Sequence, residues 1–343
     1  MSVVHRVRLP LGASALVDVG HRVEPAEVLA TRRAVHGGTS LPVASRLRRS
    51  PSAAADLIDV RPGTTLQAGE RLASDGAREV AVPEACVFLG YDPHDGSALV
   101  APLGAAQPIL GHVRGEVETV SADAIEIRIG GALLTGIGGS GGAVHGPILV
   151  SVDDPGDELR ASAIDAASTG RIIVGGSRAS AETLTRARAM GVAGIVLGGV
   201  LDKELRDFEA TQARRREIGG VVGDFAVVVV EGYGKVGMDD SLFAWFRAHD
   251  GRLASLFGDA ARLYVYEAGP PPSRRVLPRP GNRVVAHRRP FAGVAGELEL
   301  VLDGLHAAAA GIPARSGIVR FDDGRAAVVP LANLEALERP DDR

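Results

Sequence analysis

The feature that most constrains this chain is a repeat near its start. Gly20-His21-Arg22-Val23-Glu24-Pro25-Ala26-Glu27-Val28-Leu29-Ala30 aligns with Gly63-Thr64-Thr65-Leu66-Gln67-Ala68-Gly69-Glu70-Arg71-Leu72-Ala73 at a constant offset. An Asp-Val pair precedes each copy, Asp18-Val19 and Asp59-Val60. Each copy reads as a tight turn, a short strand, a second turn and a second strand. Glycine supplies the positive φ of the turn without steric cost, and the apolar residues point inward. The segments around the repeat carry the same texture: short apolar or alternating runs separated by Gly, Pro and Asp. Ala124-Ile125-Glu126-Ile127-Arg128-Ile129 alternates cleanly, so one face is buried and the other wet.

The two copies, with Gly111-His112-Val113-Arg114-Gly115-Glu116-Val117 as a further strand, resemble the half-motif of the barrel-sandwich hybrid fold of lipoyl- and biotinyl-carrier domains. Such a carrier holds its cofactor on a lysine at a hairpin tip. The chain has two lysines, Lys203 and Lys235, and none in the first 202 residues, so no lipoate or biotin is expected. The resemblance then implies a docking or structural barrel. Between the copies, Ser45-Arg46-Leu47-Arg48-Arg49-Ser50-Pro51-Ser52 reads as a basic, flexible loop, either solvated or docking an anion or a partner. Gly136 to Gly146 is glycine-dense and reads as a hinge or as a loop that lets backbone approach closely. It lacks the Gly-Lys-Ser/Thr of a Walker loop and the strand-loop-helix setting of a dinucleotide fingerprint.

From about residue 147 the texture changes. Strands are predicted at Ile148–Val152, Arg171–Val174, Ala193–Leu197 and Phe225–Val230, the last an apolar run suited to a sheet buried on both faces. Helices are predicted at Ser180–Met190, Lys203–Arg216 and Asp240–His249, followed by strands at Leu253–Phe257 and Leu263–Tyr266. The alternation predicts a three-layer α/β domain. Gly269 to Pro280, with three successive prolines, predicts a semi-rigid spacer. Gly281-Asn282-Arg283-Val284-Val285 and the run Arg289 to Leu298, with Gly293 and Gly296, are similar to a KOW motif, which implies a small SH3-like barrel. Asp323-Gly324 marks a hairpin within it. The expected fold class is therefore multidomain α+β. A barrel-sandwich-hybrid-like domain spans 1–146 and a three-layer α/β domain 147–268. A linker follows at 269–280, with an SH3-like barrel and tail at 281–343. This layout, including Glu231-Gly232-Tyr233-Gly234, resembles a set of bacterial proteins of unassigned function, so the likeness implies architecture and little chemistry.

Three strand ends suggest chemistry, because open α/β sheets bind ligands there and glycines before a helix expose N–H groups to anions. They are Gly175-Gly176-Ser177-Arg178, Gly198-Gly199-Val200-Leu201-Asp202-Lys203 and Glu231-Gly232-Tyr233-Gly234-Lys235. The candidate ligand residues are Gly176, Ser177, Arg178, Gly199, Lys203, Glu231, Gly232 and Lys235, with Arg206 on the same rim; ordinary turn chemistry also explains the glycines. A second candidate is a basic stripe, Arg274, Arg275, Arg279, Arg283, Arg288 and Arg289 with His287, leading into the KOW-like module as an RNA footprint. Against it, residues 281–343 hold eight arginines and nine acids, and Phe291 and Phe321 make a thin stacking platform.

The remaining signals are negative. The net charge of -4 gives no global pull toward nucleic acid or anionic lipid. The nine histidines show no metal spacing, Asp153–Glu158 reads as a solvated turn, and no Gly-x-Ser-x-Gly elbow occurs. Cys86, the single cysteine, reads as a buried structural thiol in a reducing compartment. No leader is visible, and the apolar runs are too short to cross a bilayer, which predicts a cytoplasmic protein without a membrane partner. Three functions follow: a non-catalytic adaptor with a protein partner, an RNA-associated factor, or an anion-binding or enzymatic α/β domain.

Overall fold

The computed structural model describes residues 2–10, 13–35, 37–217, 224–272, 277–307 and 313–337. These fall into two compact units. One comprises residues 5–111 and 116–127; the other comprises 1–4, 112–115 and 128–343.

In the first unit the repeat is a structural repeat. Gly20 and Gly63 take φ of 86° and 90°, and each donates its N–H to a neighbouring strand, to the carbonyls of Val117 (2.8 Å) and Phe88 (2.7 Å). Short strands follow, Arg22–Val23 and Thr65–Leu66, burying Val23 and Leu66. Each second turn is closed by a glutamate. Glu27 accepts from the Glu24 N–H at 3.1 Å and Glu70 from the Gln67 N–H at 2.6 Å. The next strands, Val28–Val35 and Arg71–Ser74, bury Leu29-Ala30 and Leu72-Ala73. One long strand, Ser97–Leu110, serves both halves. Its start pairs with Thr39–Pro42 and Cys86–Asp92, and its end pairs with Val28–Val35. A core of Val43, Leu47, Leu72, Phe88 and Val100 fills the second half. Cys86 lies in it; burial pushes its thiol above the ordinary range, so it stays a protonated packing group. The expected flexible loop at 45–52 is the end of one short helix, Val43–Leu47, a tight turn and the start of another, Pro51–Ala55, and Arg49 in the turn is tied to Asp75 at 3.2 Å.

The second unit is organised by a mixed sheet. Its strands are β1 (Ala124–Thr135, from Arg128 on), β2 (Gly138–Gly141), β3 (Ala143–Val150), β4 (Ile172–Val174), β5 (Gly194–Val200), β6 (Ala226–Tyr233), β7 (Leu253–Phe257) and β8 (Arg262–Tyr266). Their order is β2-β6-β5-β4-β3-β7-β8-β1. β3, β4, β5 and β6 run parallel; β2 on one side and β7, β8 and β1 on the other are antiparallel. Three helices accompany it: α1 (Ala181–Ala189), α2 (Asp202–Glu217) and α3 (Asp240–Ala248). Leu184 and Ala187 of α1 and Phe208 of α2 pack with Ile173, Ile195 and Val227. Leu242 and Phe246 of α3 pack with Ile172, Val174, Val196 and Val228. The alternation along each strand sends the two sets to opposite sides.

The expected three-layer α/β domain is corrected by this arrangement. Strand makes up 46% of the structure and helix 15%, so the fold is mostly β. The helices accompany the parallel strands, while the sheet runs on through antiparallel strands at both edges. Two segments account for the difference. The glycine-dense stretch expected as a hinge is β2 and the start of β3; a Cβ on Gly139 would run into the carbonyls of Val227 and Gly258, so glycine lets β2 lie close. Leu253 to Tyr266 is a hairpin that continues the sheet toward β1.

The C-terminal segment forms a five-stranded antiparallel sheet in the order Ala326–Pro330, Ser316–Phe321, Ala295–Val301, Arg283–Ala286, Leu334–Ala336. Val284, Leu298, Val319, Phe321 and Leu331 form its core, and the Phe291 ring stacks on Phe321 with centroids 4.3 Å apart. The segment also lends a ribbon, His306–Ala307 with Pro313–Ala314, to the edge of the large sheet, where Ala314 pairs with Gly138. No helix among the described residues is long and apolar enough to cross a membrane.

Candidate functional site

The three expected strand ends do converge, because β4, β5 and β6 are parallel neighbours. What converges is backbone that satisfies itself. Gly198 N–H donates to the Gly176 carbonyl and Gly199 N–H to the Ser177 carbonyl, both at 2.8 Å. Ser177 gives its N–H (2.7 Å) and its hydroxyl (3.2 Å) to the Asp157 carbonyl. Gly234 N–H donates to Val200 at 2.8 Å and Met238 N–H to Pro155 at 3.0 Å. A Cβ on Gly176 would meet the carbonyl oxygens of Asp157, Asp154 and Pro155 at 2.5, 2.8 and 2.9 Å. A Cβ on Gly199 would meet those of Gly234 and Ser177 at 2.6 and 2.9 Å. These glycines let three loops close over one another, and the oxygens lining the closure would repel an anion.

The start of α1, which would be the natural anion receptor, already holds one. Ser180 accepts from the Thr183 N–H at 3.1 Å, and the Glu204 carboxylate accepts from the Ala181 N–H at 2.6 Å. Arg178 is paired with Glu158 at 2.9 Å. Its Nε is the one buried side-chain nitrogen or oxygen without a partner among the described residues. Glu231, beside Gly232, accepts from the Asp239 N–H at 3.3 Å, at the cap of α3. Lys203 and Lys235 are exposed.

The basic stripe is partly cancelled. Arg274 and Arg275 lie outside the described residues. Arg283 makes two bonds of 2.7 Å to Asp322, which hold that carboxylate below the usual aspartate range. Arg320 pairs with Glu299 at 2.5 Å and Arg325 with Asp323. His287 contacts Glu335 at 2.7 Å. Arg279, Arg288 and Arg289 are exposed and have no ion pair among the described residues. The Phe291 ring, with Phe321 against it and the Arg325 guanidinium 4.9 Å from its centroid, is already engaged.

The same sheet presents a feature with no counterpart in the expectations. Leu300 faces Ile318 across one strand pair, and Ile318 faces Val328 across the next. Val319 and Val329, next to Ile318 and Val328, are buried, and a bulge between Leu298 and Leu300 turns Leu300 to the same outward side. Leu300 is 50% exposed and Val328 46%; Ile318 is half-buried between them. The readable signal is two adjacent apolar residues inside an alternating strand, as in Leu300-Val301 and Val328-Val329, since one of each pair must face out. The ion pairs Arg320–Glu299, Arg283–Asp322 and Arg325–Asp323 belong to the strands and turns of this sheet, so these arginines are matched by carboxylates. In the N-terminal unit, Leu89, Tyr91 and Leu99 with Asp92 and Asp95 line a cleft of about 590 Å³.

Among the described residues no three His, Cys, Asp or Glu side chains are placed to hold a metal ion. No family model matches the chain, and no curated protein matches it significantly in sequence.

Proposed function

We propose that this chain is a non-catalytic adaptor that docks a protein partner on the outer face of its C-terminal sheet. The observation that carries the reading is the row Leu300–Ile318–Val328. Exposed apolar side chains in contiguous rows are costly in water and characterise surfaces that become buried on association. The charge balance around it favours a protein surface over a polyanion, because Arg283, Arg320 and Arg325 are spent on neighbouring carboxylates. The KOW-like glycine pattern and the duplicated turn-strand unit of the N-terminal part are consistent with β modules used for docking. A cytoplasmic setting fits a single buried thiol.

The competing reading, an RNA-associated factor, rests on Arg279, Arg288 and Arg289, which are exposed without ion pairs among the described residues. Affinity purification of the full chain from native lysate, with protein and RNA identified in one eluate, separates the two. The adaptor reading expects a protein set that survives raised salt and the double change Arg288→Glu/Arg289→Glu, and that is lost with Leu300→Asp/Val328→Asp. RNA retention that falls steeply with salt and vanishes with the arginine changes would replace it.

A further inference from the structure

The strand Ala326–Pro330 is one end of the five-stranded sheet, and among the described residues it pairs only with Ser316–Phe321. The bonds at either end of that pairing fix which backbone groups it uses. The Leu331 N–H donates to the Arg315 carbonyl and the Phe321 N–H to the Arg325 carbonyl, both at 2.8 Å. Bonded and unbonded pairs alternate along an antiparallel ladder. The register runs without a break from Ser316 opposite Pro330 to Arg320 opposite Ala326, so the bonded pairs are Gly317 with Val329 and Val319 with Ala327. Ser316, Ile318 and Arg320 turn their backbone groups to the strand on their other side. The Leu302 N–H accordingly donates to the Ser316 carbonyl at 2.9 Å. On the end strand, therefore, the N–H and C=O of Ala326 and Val328 and the C=O of Pro330 point away from the sheet. Among the described residues no hydrogen bond reaches them there.

An open edge of this kind is usually guarded by a charge that keeps other strands off. The opposite edge, Leu334–Ala336, carries Glu335, in an ion pair with His287. Ala326-Ala327-Val328-Val329-Pro330 carries no charge, and Ala326 and Val328 are exposed. This edge is also complementary to itself. Let a second copy lie antiparallel to it about a two-fold axis at Val328. The two Val328 residues then exchange both backbone bonds, and each Ala326 N–H meets the Pro330 carbonyl of the other copy. Pro330, which has no N–H, falls opposite Ala326, so every outward donor finds an acceptor. Val328 lies against Val328 on the outer face and Ala327 beside Val329 on the inner one, with no like charges opposed. The row Leu300–Ile318–Val328 runs straight on into that of the second copy.

We propose that two copies of this chain associate through the Ala326–Pro330 edge, antiparallel about Val328, so that their C-terminal sheets join into one. The seam lies in the plane of the sheet and the docking row on its face. The dimer therefore goes beyond the adaptor reading and presents the row twice over to a partner.

The test is sedimentation velocity of the full chain over a concentration series, repeated at raised salt. A monomer–dimer equilibrium is expected, little changed by salt because backbone bonds and apolar contacts carry it. Val328→Pro deletes an N–H that the ladder does not use, and Val328→Lys sets two like charges opposite each other. Each should weaken the dimer by at least about tenfold with the circular dichroism of the unmodified chain retained. If the proline variant fails to fold, the lysine variant decides. Leu300→Asp, two strands from the seam, should keep the dimer while losing protein capture from lysate. The proposal is overturned if the unmodified chain stays monomeric up to roughly 100 μM. It is overturned equally if the dimer survives Val328→Lys or dissociates in raised salt. A monomer that still captures protein through Leu300 overturns the dimer and leaves the docking reading standing. A dimer broken by Val328→Lys that captures no protein upholds the dimer and overturns the docking reading.

Discussion

The strand-end rim of the large sheet and the outer face of the C-terminal sheet differ in what their atoms still lack. At the rim, the N–H groups of Ser177, Gly198 and Gly199 each have a carbonyl, the start of α1 has the Glu204 carboxylate, and Arg178 has Glu158. On the C-terminal face the charges are satisfied too, but Leu300 and Val328 remain half in water. A polar group that is already paired gains little from a ligand, because binding must first break the existing bond. An exposed apolar group has no such bond to lose and gains by burial. Glycines, hydroxyls and charges therefore mark the rim as chemically rich while its internal pairing closes it. The plainer face is the one with free energy left to release.

Four perturbations sharpen that contrast. The largest effect is expected for Gly176→Ala, which forces a methyl group onto three backbone carbonyls and should lower unfolding free energy by about 2–3 kcal/mol in urea titration. An unchanged midpoint would mean the rim is open space and restore it as a ligand site. Next, Glu204→Ala removes the carboxylate at the start of α1 and should cost about 1 kcal/mol in the same assay. No loss there would show that the helix end is free to take an external anion. Leu300→Asp and Val328→Asp should each shift stability by no more than about 0.5 kcal/mol, as changes on a solvated surface do. A large loss would place the row inside a core.

The smallest effect is on acid stability. Arg283 holds Asp322 below the usual aspartate range when folded. The contribution is present above the unfolded-state pKa and disappears as pH falls through the lower folded-state value. Stability followed down through the aspartate range should decline on this account, weakly because the pair is exposed. Asp322→Asn should remove that part of the decline, and an identical acid limb in the variant would show that the pair contributes nothing.

What could be read from the chain depended on how far apart the cooperating residues lie. The repeat was legible because Gly20, Glu27 and their counterparts Gly63 and Glu70 build turns from a few consecutive residues. The strands and helices between 147 and 266 were legible for the same reason, through apolar runs and the Ser180 cap. The layer count was not. Whether helices or further strands flank a sheet is set by pairings such as Leu133 with Tyr264, far apart in sequence. The glycines of β2 could not be told from a hinge, since their need for close approach lies in Val227 and Gly258. Arg283 read as part of a basic stripe because Asp322, which cancels it, is 39 residues away.

The central claim is that the row across the C-terminal sheet is a protein-docking surface, and site-specific photocrosslinking tests it most directly. With Ile318 replaced by a photoreactive phenylalanine analogue in the full chain, irradiation in cells should yield discrete protein adducts. Those adducts should disappear when Leu300→Asp is added and persist with Arg288→Glu/Arg289→Glu. Adducts to RNA, adducts indifferent to Leu300→Asp, or no adduct at this position would contradict the account.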